Sequence, residues 1–167
     1  MLDADTEVTT GWYDSIIFSM NHFDITAGYS PDPNGKHLPR VPIYIDGQDI
    51  TYPQCNIAYK KKIFEDVGYL REDMNVGEDC EFHYRCVKKG YTIFYNPKMK
   101  AYHYERPTTK QWIRKCIKNG SGRQELNSIH PDLKHRHEHG VGIKSLVRLG
   151  FGFIGFVLCK FKKQKDK

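Results

Sequence analysis

Three groups of residues carry side chains able to do chemistry. Asp3-Ala4-Asp5 sets two carboxylates one residue apart, directly after Leu2. Hard oxygen donors spaced this way at a strand end can face one divalent cation, and Mg²⁺ or Mn²⁺ suits them when phosphate oxygens complete the shell. Gly77-Glu78-Asp79 joins a glycine loop to a helix start. A carboxylate there can serve as a general base in a cleft, or merely complement the helix dipole. His103 lies between Tyr102 and Tyr104, either as a ligand or as a half-buried strand residue. Each feature is common by chance, so the reading depends on whether the fold brings the three together.

The elements that must position them alternate between helix and strand. Thr9 or Thr10 is expected to cap a helix from about Gly11 to Met20, with Trp12, Ile16 and Met20 on one side. Ile25 to Tyr29 reads as a strand, and Pro31 to Pro42, with four prolines and Asn34-Gly35, as a loop. Gln54 to Tyr59 is strand-like and leads into a helix, Lys60 to Val67, stopped by Gly68. The helix opening at Glu78-Asp79 closes at Lys88-Lys89-Gly90, with Phe82, Cys86 and Val87 facing inward. Tyr91 to Tyr95 is a strand turned by Asn96-Pro97, and Thr108 or Thr109 caps a helix from about Lys110 to Lys118, before Gly120-Ser121-Gly122. This order predicts an α/β architecture.

The motifs and their order (LDADT at 2–6, QCNIAYK at 54–60 with Phe64 and Val67-Gly68-Tyr69, GEDCEFHYR at 77–85, KKGYTIFYNP at 88–97, then His103) resemble the family-two glycosyltransferases of the GT-A fold over about residues 1–125. The resemblance implies a mixed, Rossmann-like sheet flanked by helices. It also implies metal-dependent, inverting sugar transfer of the hexosyltransferase type, from a nucleotide-sugar donor to a glycan, polysaccharide or lipid-linked acceptor. By this likeness Asp3 and Asp5 hold Mn²⁺ or Mg²⁺ against the donor diphosphate, Asp5 the more directly, and His103 completes the metal shell. Asp79 is the catalytic base and Glu78 supports it. Cys55 and Asn56 fall in the segment lining the donor and acceptor region, and Lys110 to Gln124 resembles the helical stretch that closes over the site, from which Arg114 or Arg123 approaches the phosphates. One base and one displacement imply inversion of configuration.

Two departures qualify the likeness. The family places a nucleotide-binding half before its D-x-D, whereas here the D-x-D stands at residue 3. The chain is therefore expected to be the C-terminal half of a transferase, inactive without a complementary N-terminal half. No Gln-x-x-Arg-Trp follows the Glu-Asp motif, since Gln124 is followed by Glu125 and Leu126, so single rather than processive addition is expected. Other readings of the same residues are a non-catalytic remnant binding a partner or membrane, and a metal-dependent phosphohydrolase.

Charge divides the 167 residues unevenly. The chain carries +6, from 26 Lys and Arg against 20 Asp and Glu. Residues 134–167 alone carry +7, leaving the first 133 at −1. A nearly neutral body is a poor nucleic-acid footprint, so no nucleic-acid partner is expected. Five cysteines without a C-x-x-C pair argue against both a disulfide scaffold and a zinc ribbon. Met1 is followed by acidic, polar sequence rather than a secretory signal, and a cytoplasmic location is expected. The division expected is a catalytic half at 1–133, a basic His-rich linker at 134–148, and an apolar helix with a lysine-rich end at 149–167. Alternation at His135, His137 and His139 can set three imidazoles on one side of an extended segment to bind Zn²⁺ or Ni²⁺, but a solvated linker is the simpler reading. Leu149 to Cys159 is too short to span a bilayer and is expected to lie at the cytoplasmic membrane face.

Overall fold

A computed structural model describes residues 1–34, 42–104, 108–133, 147 and 150–159. The elements in chain order are β1 (Thr6–Val8), α1 (Trp12–His22), β2 (Ile25–Tyr29), β3 (Tyr44–Ile45), β4 (Gln48–Asp49), β5 (Ile57–Tyr59), α2 (Lys61–Val67), α3 (Glu78–Lys88), β6 (Ile93–His103) and α4 (Thr109–Ile129). Residues 150–159 form a further helix, α5. Part of the proline-rich loop (35–41), the His-rich stretch 134–139 and the lysines from Lys160 onward lie outside the described residues.

Among the described residues, four strands form a mixed sheet in the order β1-β6-β2-β5. β2 and β6 run parallel, while β1 on β6 and β5 on β2 are antiparallel. Leu2 adds an antiparallel bridge to Asn56 beyond β5. The core lies between this sheet and α2 and α3, where Ile25, Ile57, Ile63, Phe82 and Cys86 are each no more than 1% exposed. Phe82 stacks on Phe64 at 5.4 Å between ring centroids, and Tyr59 meets both rings edge-on.

Several local expectations change. Neither Thr9 nor Thr10 caps α1; its N-cap is Gly11 in the left-handed region, and the Thr9 hydroxyl donates instead to the Lys100 carbonyl at 2.9 Å. The fully buried position of α1 is Ser19, which accepts a hydrogen bond from Asn96 Nδ2 at 2.8 Å. Asn96-Pro97 does not end its strand. β6 runs on to His103, and three extra residues bulge where Gly28 pairs with Asn96 but Tyr29 with Lys100. A bulge lets a strand absorb a proline that the regular ladder would reject.

α4 departs most from expectation, reaching Ile129 rather than stopping near Lys118. Its start is the expected one, with Thr108 and Gln111 forming a capping box. The glycines read as a stop are contact points within the helix. A β-carbon at Gly120 would stand 1.8 Å from the Gly152 carbonyl oxygen of α5, and one at Gly122 would stand 2.5 Å from the Val76 carbonyl oxygen. Removing the side chain lets backbones touch, and that contact outweighs the ~1 kcal/mol helix penalty of glycine.

α3 and the end of α4 are tied by a polar cluster that is buried at Glu81 and open at Asp132. Glu81, 1% exposed, accepts hydrogen bonds from Arg85 and faces His130 Nε2 at 3.0 Å. Tyr84 donates to Asp132 at 2.7 Å, and Arg85 also donates to the carbonyls of Val67 and Tyr69. His83, fully buried, contacts the Ile50 carbonyl through Nδ1 and the Tyr59 hydroxyl through Nε2. A carbonyl can only accept, so Nδ1 carries the proton and Nε2 accepts from Tyr59.

Candidate functional site

The two carboxylates of Asp3-Ala4-Asp5 lie on a turn between the Leu2 bridge and β1, not within a strand. Pairing fixes what they face: Thr6 is opposite His103 on β6, and the Tyr104 amide donates to the Asp5 carbonyl at 2.9 Å. This brings His103 Nε2 to 3.2 Å from an Asp5 carboxylate oxygen and 3.9 Å from one of Asp3. One donor atom from each of the three residues lies within 4.8 Å of the others. Half-exposed carboxylates beside a mostly covered imidazole suit a hard divalent ion that keeps open positions for an outside ligand. The residues therefore fit the cation that the sequence implied.

Asp79 is held from the opposite side. Gly77, at φ +85°, turns the chain into α3, a conformation that L side chains rarely adopt. Asp79 accepts a hydrogen bond from the Cys80 amide at 2.7 Å. Burial raises its carboxyl pKa above the usual aspartate value, and the Glu78 charge beside it adds to the rise. A carboxylate held reluctantly ionised is a better proton acceptor than a free one.

Both groups open onto one cleft of about 540 Å³. Asp3, His103, Ser30 and Cys55 line it from the sheet side, and Gly77, Glu78 and Asp79 from the start of α3. Lys115, Asn119, Gly122, Arg123 and Leu126 line it from α4, one helical stripe of cationic, polar and small residues. Tyr52 and Tyr95, stacked at 5.7 Å, form part of another wall.

Of the residues expected in the site, Asp5, Asn56 and Arg114 do not line the cleft, and the last two take different places. Arg114 is exposed and stands outside the cleft lining, one position off the stripe that carries Lys115 and Arg123. Asn56 is buried beneath the floor at 1% exposure, with its amide used within the fold. Its Oδ1 accepts from Trp12 Nε1 at 2.9 Å, and its Nδ2 donates to the carbonyls of Met99 and Tyr29. Gly28 is glycine for the same reason, since a β-carbon there would stand 2.3 Å from the Asn56 amide nitrogen. Asn56 thus clamps α1, β2 and β6 together. Cys55 does line the cleft, and burial raises its thiol pKa above the usual cysteine value.

Lys115 and Asn119 are lining residues of α4 that sequence reasoning missed. Their spacing with Arg123, every fourth residue, was the available signal, hidden by ending the helix before the glycines.

No family model matches the chain. It is similar to the pre-mycofactocin glycosyltransferases of two strains of Mycobacterium tuberculosis, CDC 1551 / Oshkosh and ATCC 25618 / H37Rv, at 23% identity over 159 residues in each case. The similarity covers 78% of this chain and 32% of each relative, so the chain spans about a third of the length of the curated relatives it matches.

Proposed function

We propose that this chain carries the metal and catalytic-base side of a sugar-transfer site of the GT-A, family-two type, joining a sugar from a nucleotide-sugar to a hydroxyl acceptor. The observation that carries the reading is a single cleft lined by Asp3 and His103 on one side and by Asp79 on another. The named activity of the Mycobacterium tuberculosis relatives supports it. Because the match covers only 32% of them, the donor base and ribose are proposed to be held by polypeptide outside these residues.

Asp79 takes the proton of the acceptor hydroxyl as its oxygen attacks the anomeric carbon. The bond from that carbon to the diphosphate breaks on the opposite face, which inverts the configuration. Negative charge then gathers on the departing nucleoside diphosphate, towards which Lys115 and Arg123 bring positive charge from α4. Asp3, Asp5 and His103 would hold Mn²⁺ or Mg²⁺, which supplies Lewis-acid stabilisation of the same departing charge. The stacked Tyr52 and Tyr95 offer an apolar wall suited to a sugar face.

The test is a transfer assay on the protein as the cell makes it, with labelled nucleotide-sugars and Mn²⁺. Asp79→Asn should abolish transfer, by at least the ~10²–10⁴-fold that a general base contributes, and spare donor binding. Metal-dependent hydrolysis of the nucleotide-sugar that survives Asp79→Asn unchanged would instead make the protein a phosphohydrolase.

A further inference from the structure

α5 has two faces that differ in kind. The inner one is glycine: a β-carbon at Gly155 would stand 1.9 Å from the Ile117 carbonyl oxygen of α4, and one at Gly120 would stand 1.8 Å from that of Gly152. The Ser121 hydroxyl of α4 adds a hydrogen bond to the Gly155 carbonyl at 3.0 Å. Backbone meets backbone along this face, so α5 is fixed to the body by contacts that no intervening side chain can cushion. The outer face is apolar and uncovered, with Phe153 68%, Leu158 58% and Ile154 45% exposed.

No charged residue occurs between Leu149 and Cys159, and five lysines follow within the eight residues 160–167, opposed by one aspartate. An exposed apolar face followed directly by a basic run is the composition of an interfacial helix. Ten residues rise only ~15 Å, half the hydrocarbon thickness, so the helix can lie in a leaflet but not cross it. No helix among the described residues is long and apolar enough to span a membrane. A second copy of the chain is the poorer occupant, because it carries the same net charge of +6. Anionic headgroups attract the same charges.

We propose that the protein docks on an anionic lipid surface through Phe153, Ile154 and Leu158, with α5 held rigidly on α4 rather than acting as a loose tail. The front of α4 carries Lys115 and Arg123 into the cleft, so docking fixes the cleft's height above the headgroups. If the transfer reading also holds, that geometry favours an acceptor borne on a lipid. The docking itself does not depend on that reading and is measured without any nucleotide-sugar.

The experiment is co-sedimentation of the full chain with vesicles of phosphatidylcholine alone and of phosphatidylcholine with phosphatidylglycerol. Strong pelleting is expected only with the anionic vesicles, and Phe153→Ser with Leu158→Ser should weaken it by about tenfold or more, since each buried CH₂ contributes to partitioning. Both sites face outward, so the fold should be unchanged by circular dichroism. Phe153→Trp should shift its fluorescence to the blue when those vesicles are added. The proposal is overturned by an absence of pelleting or by pelleting unaffected by the double substitution. It is equally overturned by self-association in sedimentation velocity, without lipid, that the double substitution abolishes, since a second copy would then cover the face.

Discussion

Asp79 has two properties that can be separated by measurement. Burial raises its carboxyl pKa, so the folded protein binds that proton more tightly than the unfolded chain does. Stability from this group therefore falls as pH rises from the unfolded value, ~3.9, through the raised folded one. Asp79→Asn removes that cost, so thermal denaturation at neutral pH should show a melting temperature equal to or above that of the unmodified protein, even as transfer is lost. The acid limb of the pH–rate profile should likewise lie above ~3.9. At the other side of the cleft, His103→Ala or Asp5→Ala removes a donor from a three-residue set. Mn²⁺ titration by calorimetry should show affinity lower by at least the ~10–100-fold that loss of an outer partner alone costs. Each of these residue types is common by chance in a sequence; what the fold adds is that the two carboxylates and a histidine far along the chain come within 4.8 Å of one another. Asn56 was legible as a position but not as a role: nothing in the chain says that its amide is used by Trp12, Met99 and Tyr29.

Elements decide which of those side chains meet. β6 carries His103 to within reach of Asp3 and Asp5 only because it continues through Asn96-Pro97, and α4 reaches the cleft with Arg123 only because it continues through Gly120 and Gly122. Both were read as breaks, since proline and glycine act locally as stops while the contacts that overrule them are distant in sequence. Gly120→Ala tests this. With 1.8 Å to a backbone oxygen, the methyl group cannot be absorbed by a rotamer change. Chemical denaturation should report a loss of about 1–3 kcal/mol, typical of overpacking, despite the better helix propensity of alanine. α3 is tested through His83, whose pKa burial lowers from 6.5 to about 4. The fold keeps the ring neutral, so this stability is fully present above ~6.5 and is lost as pH falls through the folded value, by on the order of 3 kcal/mol. His83→Gln should flatten that part of the stability profile between about pH 6.5 and 4, measured by denaturation at each pH.

For the whole molecule, charge and composition separated a neutral body from a basic appendage, but the first helix of that appendage is seated on the body. Sequence could show that 149–159 is apolar; it could not show that its glycines match a glycine on a helix thirty residues earlier. The α/β class was legible from alternation, whereas strand order depended on pairings such as Thr6 with His103 that no local pattern encodes. The ties between α3 and α4 have one more consequence. Gly122 rests on Val76 at the near end, Glu81 faces His130 further along, and Tyr84 grips Asp132 just past the end of α4. Three points fix one rigid body to another, as on a kinematic mount. The Asp79 carboxylate at the start of α3 and the cations of α4 therefore keep a spacing set by these ties, and Phe82 and His83 carry the same constraint on to the sheet through Tyr59 of β5.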